Sequence, residues 1–110
     1  TFGGNPIACA GGNVVLSKIS SECGLDEVTA KCEYIVKKLK AMDGVEDVSG
    51  LGLMIGITLK NKKASDVVKA ALDNGLMLLT AKEKVRMLPP LTITYEEIDK
   101  GLSILKELIA

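Results

Sequence analysis

The sequence contains no histidine, and only one arginine stands among its 14 Lys and Arg residues. Without histidine, Ser-His and Cys-His catalysis and most zinc sites are excluded, because each needs an imidazole as base or ligand. We therefore predict no metal site, and any chemistry must use lysines, carboxylates, hydroxyls or a bound cofactor. Aromatic residues make up only 3% while hydrophobic residues make up 47%, so aliphatic side chains must fill the core.

An excess of positive charge is also missing, since the net charge is zero. This argues against nucleic-acid partners and against a basic membrane patch. The longest apolar run, residues 50–59, is too short to span a bilayer. The three cysteines, Cys9, Cys23 and Cys32, match neither a metal knuckle nor a CxxC pair, so we predict buried, reduced thiols in a cytoplasmic protein.

A chain of 110 residues suits one domain, here residues 1–110. The periodicity of the hydrophobic residues predicts an α/β fold of the α+β type, in which helices pack on a small, mostly antiparallel sheet. The chain starts without methionine, and we expect it to be part of a longer protein. The predicted helices cover residues 6 to about 22, 26 to about 42, about 65 to 73, and the stretch after Thr94; the predicted strands lie within residues 45–60, 76–80 and 85–88.

Two of the predicted helices differ in their apolar faces. The first, capped by Asn5, is apolar almost all round and carries Gly11-Gly12, so we expect it to pack against neighbours on several sides. The second, with Asp26 as its cap, has an apolar stripe. Its lysines, Lys31 among them, are predicted to be solvated. That stripe is Val28, Cys32, Ile35, Leu39 and Met42.

The single arginine, Arg86, lies in the stretch VRMLPPL of residues 85–91. Alternation predicts a short strand at the rim of the sheet, with Val85 and Met87 facing one side and Arg86 the other. A guanidinium grips a carboxylate through two parallel hydrogen bonds, so Arg86 is a candidate carboxylate clamp. The alternative is a surface or structural arginine paired with an acidic side chain, for which Glu83 lies within reach across the turn.

Several stretches in order resemble the class III aminotransferases, which use pyridoxal phosphate. TFGGNPIACA at 1–10 resembles the family segment TFGGNPLAC, and GLGLMIG at 50–56 resembles GxGLMxG. NGLMLLTA at 74–81, then RMLPPL at 86–91 with IDKGL at 98–102, resemble the C-terminal end of these enzymes. Within the class, the likeness is greatest to the acetylornithine aminotransferases.

The resemblance implies the C-terminal small domain of a fold-type I enzyme. Residues 1–24 would be a leading helix segment joined to an upstream large domain that binds pyridoxal 5′-phosphate, in a homodimer. Thr1 matches the threonine that binds the cofactor phosphate of the neighbouring subunit. Arg86 matches the arginine that contacts the substrate carboxylate. None of the lysines has the setting of the Schiff-base lysine, so the chain alone supplies no catalytic residue and is expected to be inactive.

The sequence departs from the family patterns at two places. Ser49 stands where the family often has arginine, as in VRGxGLM, and the turn before Arg86 is one residue shorter than in AGxxVLRLLPP. The implied reaction moves an amino group from N-acetylornithine to 2-oxoglutarate in arginine biosynthesis. Ornithine, succinylornithine or 4-aminobutyrate are alternative donors. Two further alternatives are a free-standing, non-catalytic binding or regulatory domain and a structural dimerisation module, the last of which leaves Arg86 unexplained.

Overall fold

The computed structural model describes residues 1–21 and 24–110, and the side chain of residue 21 is not described. Within these residues, helices pack on one face of an antiparallel sheet with strand order β1-β2-β4-β3. The predicted α+β fold is confirmed. The helices are α1 (Pro6–Ser21), α2 (Leu25–Lys40), α3 (Ala64–Asp73) and α4 (Tyr95–Ile109), and the strands are β1 (Val45–Leu51), β2 (Met54–Leu59), β3 (Leu79–Ala81) and β4 (Lys84–Met87).

The core is aliphatic, as the composition predicts, and lies between the sheet and the helices α2, α3 and α4. Ile35 and Leu39 of the predicted α2 stripe are fully buried, as is Leu105 of α4. For α3 the hydrophobic spacing predicts an inward face of Val67, Val68, Ala71 and Leu72. This prediction is partly wrong, because Leu72 is exposed. The buried stripe of that helix is narrow, and one residue beyond buried Ala71 the helix has turned by about 100°.

Two of the predicted boundaries are wrong. Leu76 and Leu78 pack against the core outside any strand, and β3 is reduced to Leu79–Ala81. The N-cap of α2 is Gly24 rather than Asp26, which lies in the first turn of the helix. Thr94 and Glu97, three residues apart in the sequence, predict a capping box at the start of α4. It is confirmed, since Thr94 Oγ1 accepts from the Glu97 N–H at 3.2 Å and the Glu97 carboxylate accepts from the Thr94 N–H at 2.9 Å.

Lys31 is buried, and the prediction that it is solvated is wrong. It lies three residues after Val28 and four before Ile35, which places it beside the apolar stripe rather than on the outer face. Its Nζ lies 2.9 Å from a Glu27 carboxylate oxygen and donates to the Leu91 carbonyl at 3.1 Å. Lys31 thereby attaches the proline-rich segment after β4 to α2.

A polar cluster on the surface joins α2 to the start of α4. The Tyr34 hydroxyl donates to Asp99 at 2.8 Å, and Lys38 Nζ lies 2.6 Å from the same oxygen. The hydrogen bond from Lys38, followed by that from Tyr34, holds the pKa of the Asp99 carboxyl below its ordinary value. The rings of Tyr34 and Tyr95 meet edge to face at 5.0 Å. These contacts set the position of α4 relative to α2.

Helix α1 has almost no cover within the described chain. From Pro6 to Ser20 every residue is exposed except the half-buried Ile19, and Ile7 is 85% exposed. No atom lies within 4 Å of a Cβ added at Gly11 or Gly12. The neighbours expected on several sides of this helix are not supplied by the described part of the chain. No helix in the described part of the chain is long and apolar enough to cross a membrane.

The cysteines differ in burial. Cys32 is half-buried against the core, but Cys9 is exposed on α1, so its predicted burial is wrong. The reason is the same lack of cover over α1. Both thiols are free, and Cys23 lies outside the described residues.

Candidate functional site

Within residues 1–21 and 24–110, no helix packs on one face of the sheet, and we call this face the open face. Val85 is fully buried and Met87 packs against the core, so Lys84 and Arg86, which alternate with them, project from the other side. Three large apolar side chains on this side are exposed, with Leu51 at 89%, Met54 at 57% and Leu79 at 46%. The open face consists of Asp47, Ser49, Leu51, Met54, Gly56, Thr58, Leu79, Ala81, Lys84 and Arg86.

Arg86 lies in the middle of the open face. Its strand pairs with β2 through Gly56 and with β3 through Leu79. The expected position at the rim is therefore wrong, because the short strand β3 covers the edge of β4. The alternation of Val85, Arg86 and Met87 is as predicted.

The Arg86 guanidinium has no partner in the part of the chain that the structure describes. Its Nε is buried without a hydrogen bond, and no ion pair joins it to Glu83 or to another carboxylate there. A buried polar group without a partner costs about 1–3 kcal/mol, and more when it is charged. The side chain is half-buried. This arrangement suits a guanidinium that receives a carboxylate from outside the chain.

The segment that follows Arg86 is held in place. Pro89 and Pro90 restrict the backbone, and the Ile93 N–H donates to the Pro90 carbonyl at 3.0 Å. The Lys31 ammonium fixes the Leu91 carbonyl from α2. The exit of β4 is therefore constrained both by its own sequence and by a lysine distant in sequence.

Lys84 is a residue of this face that the sequence reasoning missed. Its Nζ donates to Ser49 Oγ at 2.8 Å, which takes the side chain from β4 across β2 to β1. The crossing runs over Gly56, where an added Cβ would lie 3.5 Å from Lys84 Cδ and 3.4 Å from Ser49 Oγ. The signal that could have found Lys84 is its spacing of two residues from Arg86 on one strand.

An apolar cleft of about 310 Å³ lies on the other side of β4. Met87, Leu76, Leu78 and the two prolines contribute to its wall, as does Glu97. The carboxylate of Glu97 is engaged in the capping box of α4. This cleft therefore offers apolar surface but no unpaired charged group, and it does not contain Arg86.

Thr1 begins an exposed turn that leads into α1. Phe2 and Gly4 have positive φ values of 62° and 77°, and nothing lies within 4 Å of a Cβ added at Gly3 or Gly4. The predicted cap is present, because Asn5 Oδ1 accepts from Ile7 N at 3.0 Å. Since Asn5 satisfies the helix end, the Thr1 hydroxyl and the N–H groups of the glycine turn are the donors that fit a phosphate. Within the described residues no hydrogen bond joins this turn to Arg86.

The fold is that of the aminotransferases. The N-acetylornithine aminotransferase from Stenotrophomonas maltophilia matches 74% of this chain with a TM-score of 0.68 and 29% identity, over 25% of its own length. The lysine aminotransferase from M. tuberculosis matches 86% of the chain with a TM-score of 0.72 and 26% identity, over 23% of its own length.

The profile of the family Aminotransferase class-III matches residues 1–109, and the chain belongs to this family. The acetylornithine aminotransferase of Haemophilus ducreyi is 41% identical over 111 residues, which cover 100% of this chain and 28% of the relative. The chain thus spans less than a third of the length of the curated relatives it matches. The family resemblance inferred from these sequence stretches is confirmed.

Proposed function

We propose that this chain is the C-terminal small domain of an aminotransferase that moves an amino group from N-acetylornithine to 2-oxoglutarate in arginine biosynthesis. The observation that carries the proposal is the half-buried Arg86, which has a buried Nε without a partner on the open face. Both substrates carry carboxylates that such a guanidinium binds. The choice of donor rests on the acetylornithine name of relatives about 41% identical.

The rest of the protein would be a large domain in the same chain and a second copy in a homodimer. Support comes from the share of the Haemophilus relative that this chain spans, 28%. The exposed apolar side chains of α1, Leu16 at 66% among them, are the surface that these partners would cover. Residues 1–24 would then be the segment that joins the two domains. We place the enzyme in the cytoplasm, where its thiols stay reduced.

The cofactor would be pyridoxal 5′-phosphate, which when bound supplies an electron sink for breaking a bond at the amino-bearing carbon. The Thr1 hydroxyl and the N–H groups of Gly3 and Gly4 would hold its phosphate in the neighbouring subunit. Arg86 would bind the substrate carboxylate and so orient the carbon that reacts. The lysine that binds the cofactor aldehyde would come from the large domain.

The test is amino transfer by the full-length protein. We expect glutamate to form from 2-oxoglutarate with N-acetylornithine as the best of the four candidate donors, the others being ornithine, succinylornithine and 4-aminobutyrate. Residues 1–110 alone should produce no glutamate above the level given by free cofactor. If another of these donors is preferred, that donor replaces N-acetylornithine as the proposed substrate. Full-length protein without any turnover would favour a non-catalytic binding domain.

Replacing Thr1 by valine in the full-length protein should weaken cofactor retention. Valine keeps the shape of threonine and removes the hydroxyl, and a hydrogen bond to a charged group contributes about 1.5–3 kcal/mol. The dissociation constant of pyridoxal phosphate, followed by its absorbance during dialysis, should rise roughly tenfold to a hundredfold. Thr1→Ser keeps the hydroxyl and serves as the control. Equal retention by the valine and serine variants would remove Thr1 from the phosphate site.

A further inference from the structure

Lys31 of α2 is the only buried polar or charged residue in the part of the chain that the structure describes, with 5% of its surface exposed. Its ammonium donates to the Leu91 carbonyl at 3.1 Å and lies 2.9 Å from a Glu27 carboxylate oxygen. Burying an ammonium costs free energy, and a buried ion pair often stabilises a fold no more than apolar side chains of similar volume. The Glu27 side chain is 53% exposed, so water weakens its attraction for Lys31. The stability of the fold therefore does not account for a lysine at this position.

The segment that Lys31 holds, residues 88–93, has little other support. In the described part of the chain, the bond to Leu91 is the only hydrogen bond that joins residues 88–93 to another helix or strand. The two prolines of the segment have no N–H group to donate. Four of its six residues line the apolar cleft of about 310 Å³, so much of the segment borders empty space rather than packed side chains. The hydrogen bond from Lys31 is therefore the polar anchor of the segment.

Arg86 lies next to this segment in the chain and depends on it for its position. It is the second-last residue of β4, and beyond it only the pair of Met87 with Ile55 holds the strand to β2. The Arg86 Nε is buried without a hydrogen bond among the described residues, so the backbone must set the direction of the guanidinium. Movement of residues 88–93 would loosen the end of β4 and change where Arg86 points.

We propose that Lys31 is a positioning residue, which anchors residues 88–93 to α2 and so keeps Arg86 in the orientation that binds a substrate carboxylate. The proposal rests on the proposed function, in which Arg86 is the carboxylate clamp. The two prolines between Leu91 and β4 transmit the position, because their φ angles are fixed. Lys31 acts through Arg86 and reduces the ordering that remains when a carboxylate binds.

The experiment measures how the full-length protein binds glutarate, an unreactive analogue of 2-oxoglutarate, by titration calorimetry. Lys31→Met keeps most of the side-chain volume and removes the donor, so the site stays filled. We expect the dissociation constant to rise about five- to tenfold, as when the binding-competent arrangement falls to about a tenth to a fifth of the population. Lys31→Gln, whose amide nitrogen is one bond closer to the backbone, is a second variant and should act in the same direction.

Two other variants on α2 are the matched controls. Glu27→Gln removes the ion pair and leaves the hydrogen bond from Lys31 to Leu91. Lys38→Met removes the ion pair between α2 and Asp99 of α4. Both should bind glutarate as the wild type does, because neither change removes the anchor of residues 88–93. The proposal is overturned if either control weakens glutarate binding as much as K31M does.

Hydrogen exchange of the full-length protein, followed by mass spectrometry, reports the anchor directly. K31M should speed exchange in the peptide that contains residues 86–93 and leave the peptides of α3 unchanged, since local opening exposes only nearby amides. Unchanged exchange in residues 86–93 would show that Lys31 is not their anchor. Faster exchange there with unchanged glutarate affinity would show that the anchor does not position Arg86.

Kinetics separate the role of Lys31 from the proposed function. In an active enzyme, K31M should raise KM for 2-oxoglutarate by the same factor as the glutarate dissociation constant and leave kcat unchanged, the pattern of weakened uniform binding. A purely structural lysine would instead lower the melting temperature with no change in KM. If the wild type transfers no amino group, the proposed function is wrong, and glutarate binding with hydrogen exchange still judges Lys31. A wild type that binds no glutarate overturns the role of Lys31, because Arg86 then receives no carboxylate.

Discussion

Replacing Arg86 by lysine in the full-length protein is expected to raise KM for 2-oxoglutarate by about tenfold or more. Lysine keeps the positive charge but loses the planar fork that binds a carboxylate with two parallel hydrogen bonds. Losing one charge-assisted hydrogen bond costs about 1.5–3 kcal/mol. Steady-state kinetics of both half-reactions measure the effect. KM for the amino donor should also rise, because the same arginine would bind the carboxylate of the donor and that of 2-oxoglutarate.

The stability of the Arg86→Lys variant distinguishes a clamp from a structural arginine. Since no ion pair holds Arg86 within the described chain, the variant should unfold at nearly the temperature of the wild type. A structural arginine would instead show a lower melting temperature with unchanged kinetics. The Arg86 side chain is half-buried, so its aliphatic part contributes packing. Arg86→Met, which keeps this packing and removes the charge, is therefore the second variant. It should impair binding at least as much as lysine does.

Replacing Gly50 by alanine should destabilise residues 1–110 by about 3 kcal/mol or more. Gly50 is the second-last residue of β1 and has a φ of 141°, a conformation that side chains strongly disfavour. A Cβ there would also overlap the carbonyl oxygen of Met54 on the partner strand. Backbone on both sides of the hairpin would have to move, and strain of this kind costs about 1–3 kcal/mol before the overlap is counted. Urea unfolding followed by circular dichroism measures the change.

Gly52→Ala is the matched control for this hairpin. Gly52 also has a positive φ, 54°, but its added Cβ would meet only the Val28 side chain at 3.4 Å. Its cost should be about 1–2 kcal/mol, the penalty of a left-handed conformation alone. If the two substitutions lower the free energy of unfolding equally, the close approach to Met54 contributes nothing to the destabilisation. The hairpin matters for the site because it carries Ser49 and Gly56 beside Arg86.

Much of the local structure around the candidate site could be predicted from the sequence. Alternation along β4 placed Val85 and Met87 in the core and Arg86 opposite, because side chains of a strand point to alternate faces. The spacing of Thr94 and Glu97 predicted the capping box, whose two hydrogen bonds form within one helical turn. These features depend on residues at most four positions apart, so the sequence contains the information directly.

Contacts between distant segments were not predictable in this way. The charge of Lys31 predicts a solvated side chain, yet Lys31 is buried and donates to the carbonyl of Leu91, 60 residues away in the chain. Lys84 was overlooked because its partner Ser49 is 35 residues distant and stands two strands away. The interior position of β4 depends on which strands pair with it, and strand order is not encoded in the alternation of one strand.

The sequence by itself determined the elements, the face of β4 that carries Arg86, and the likeness to class III aminotransferases, because motifs and periodicities are properties of short stretches. Only the tertiary structure decided that Arg86 lies on the open face without a partner among the described residues, and that the Lys84 ammonium crosses β2 to reach Ser49. Charge and burial at a site depend on what the folded chain places nearby. The positions of those neighbours are set by the packing of the sheet against α2, α3 and α4.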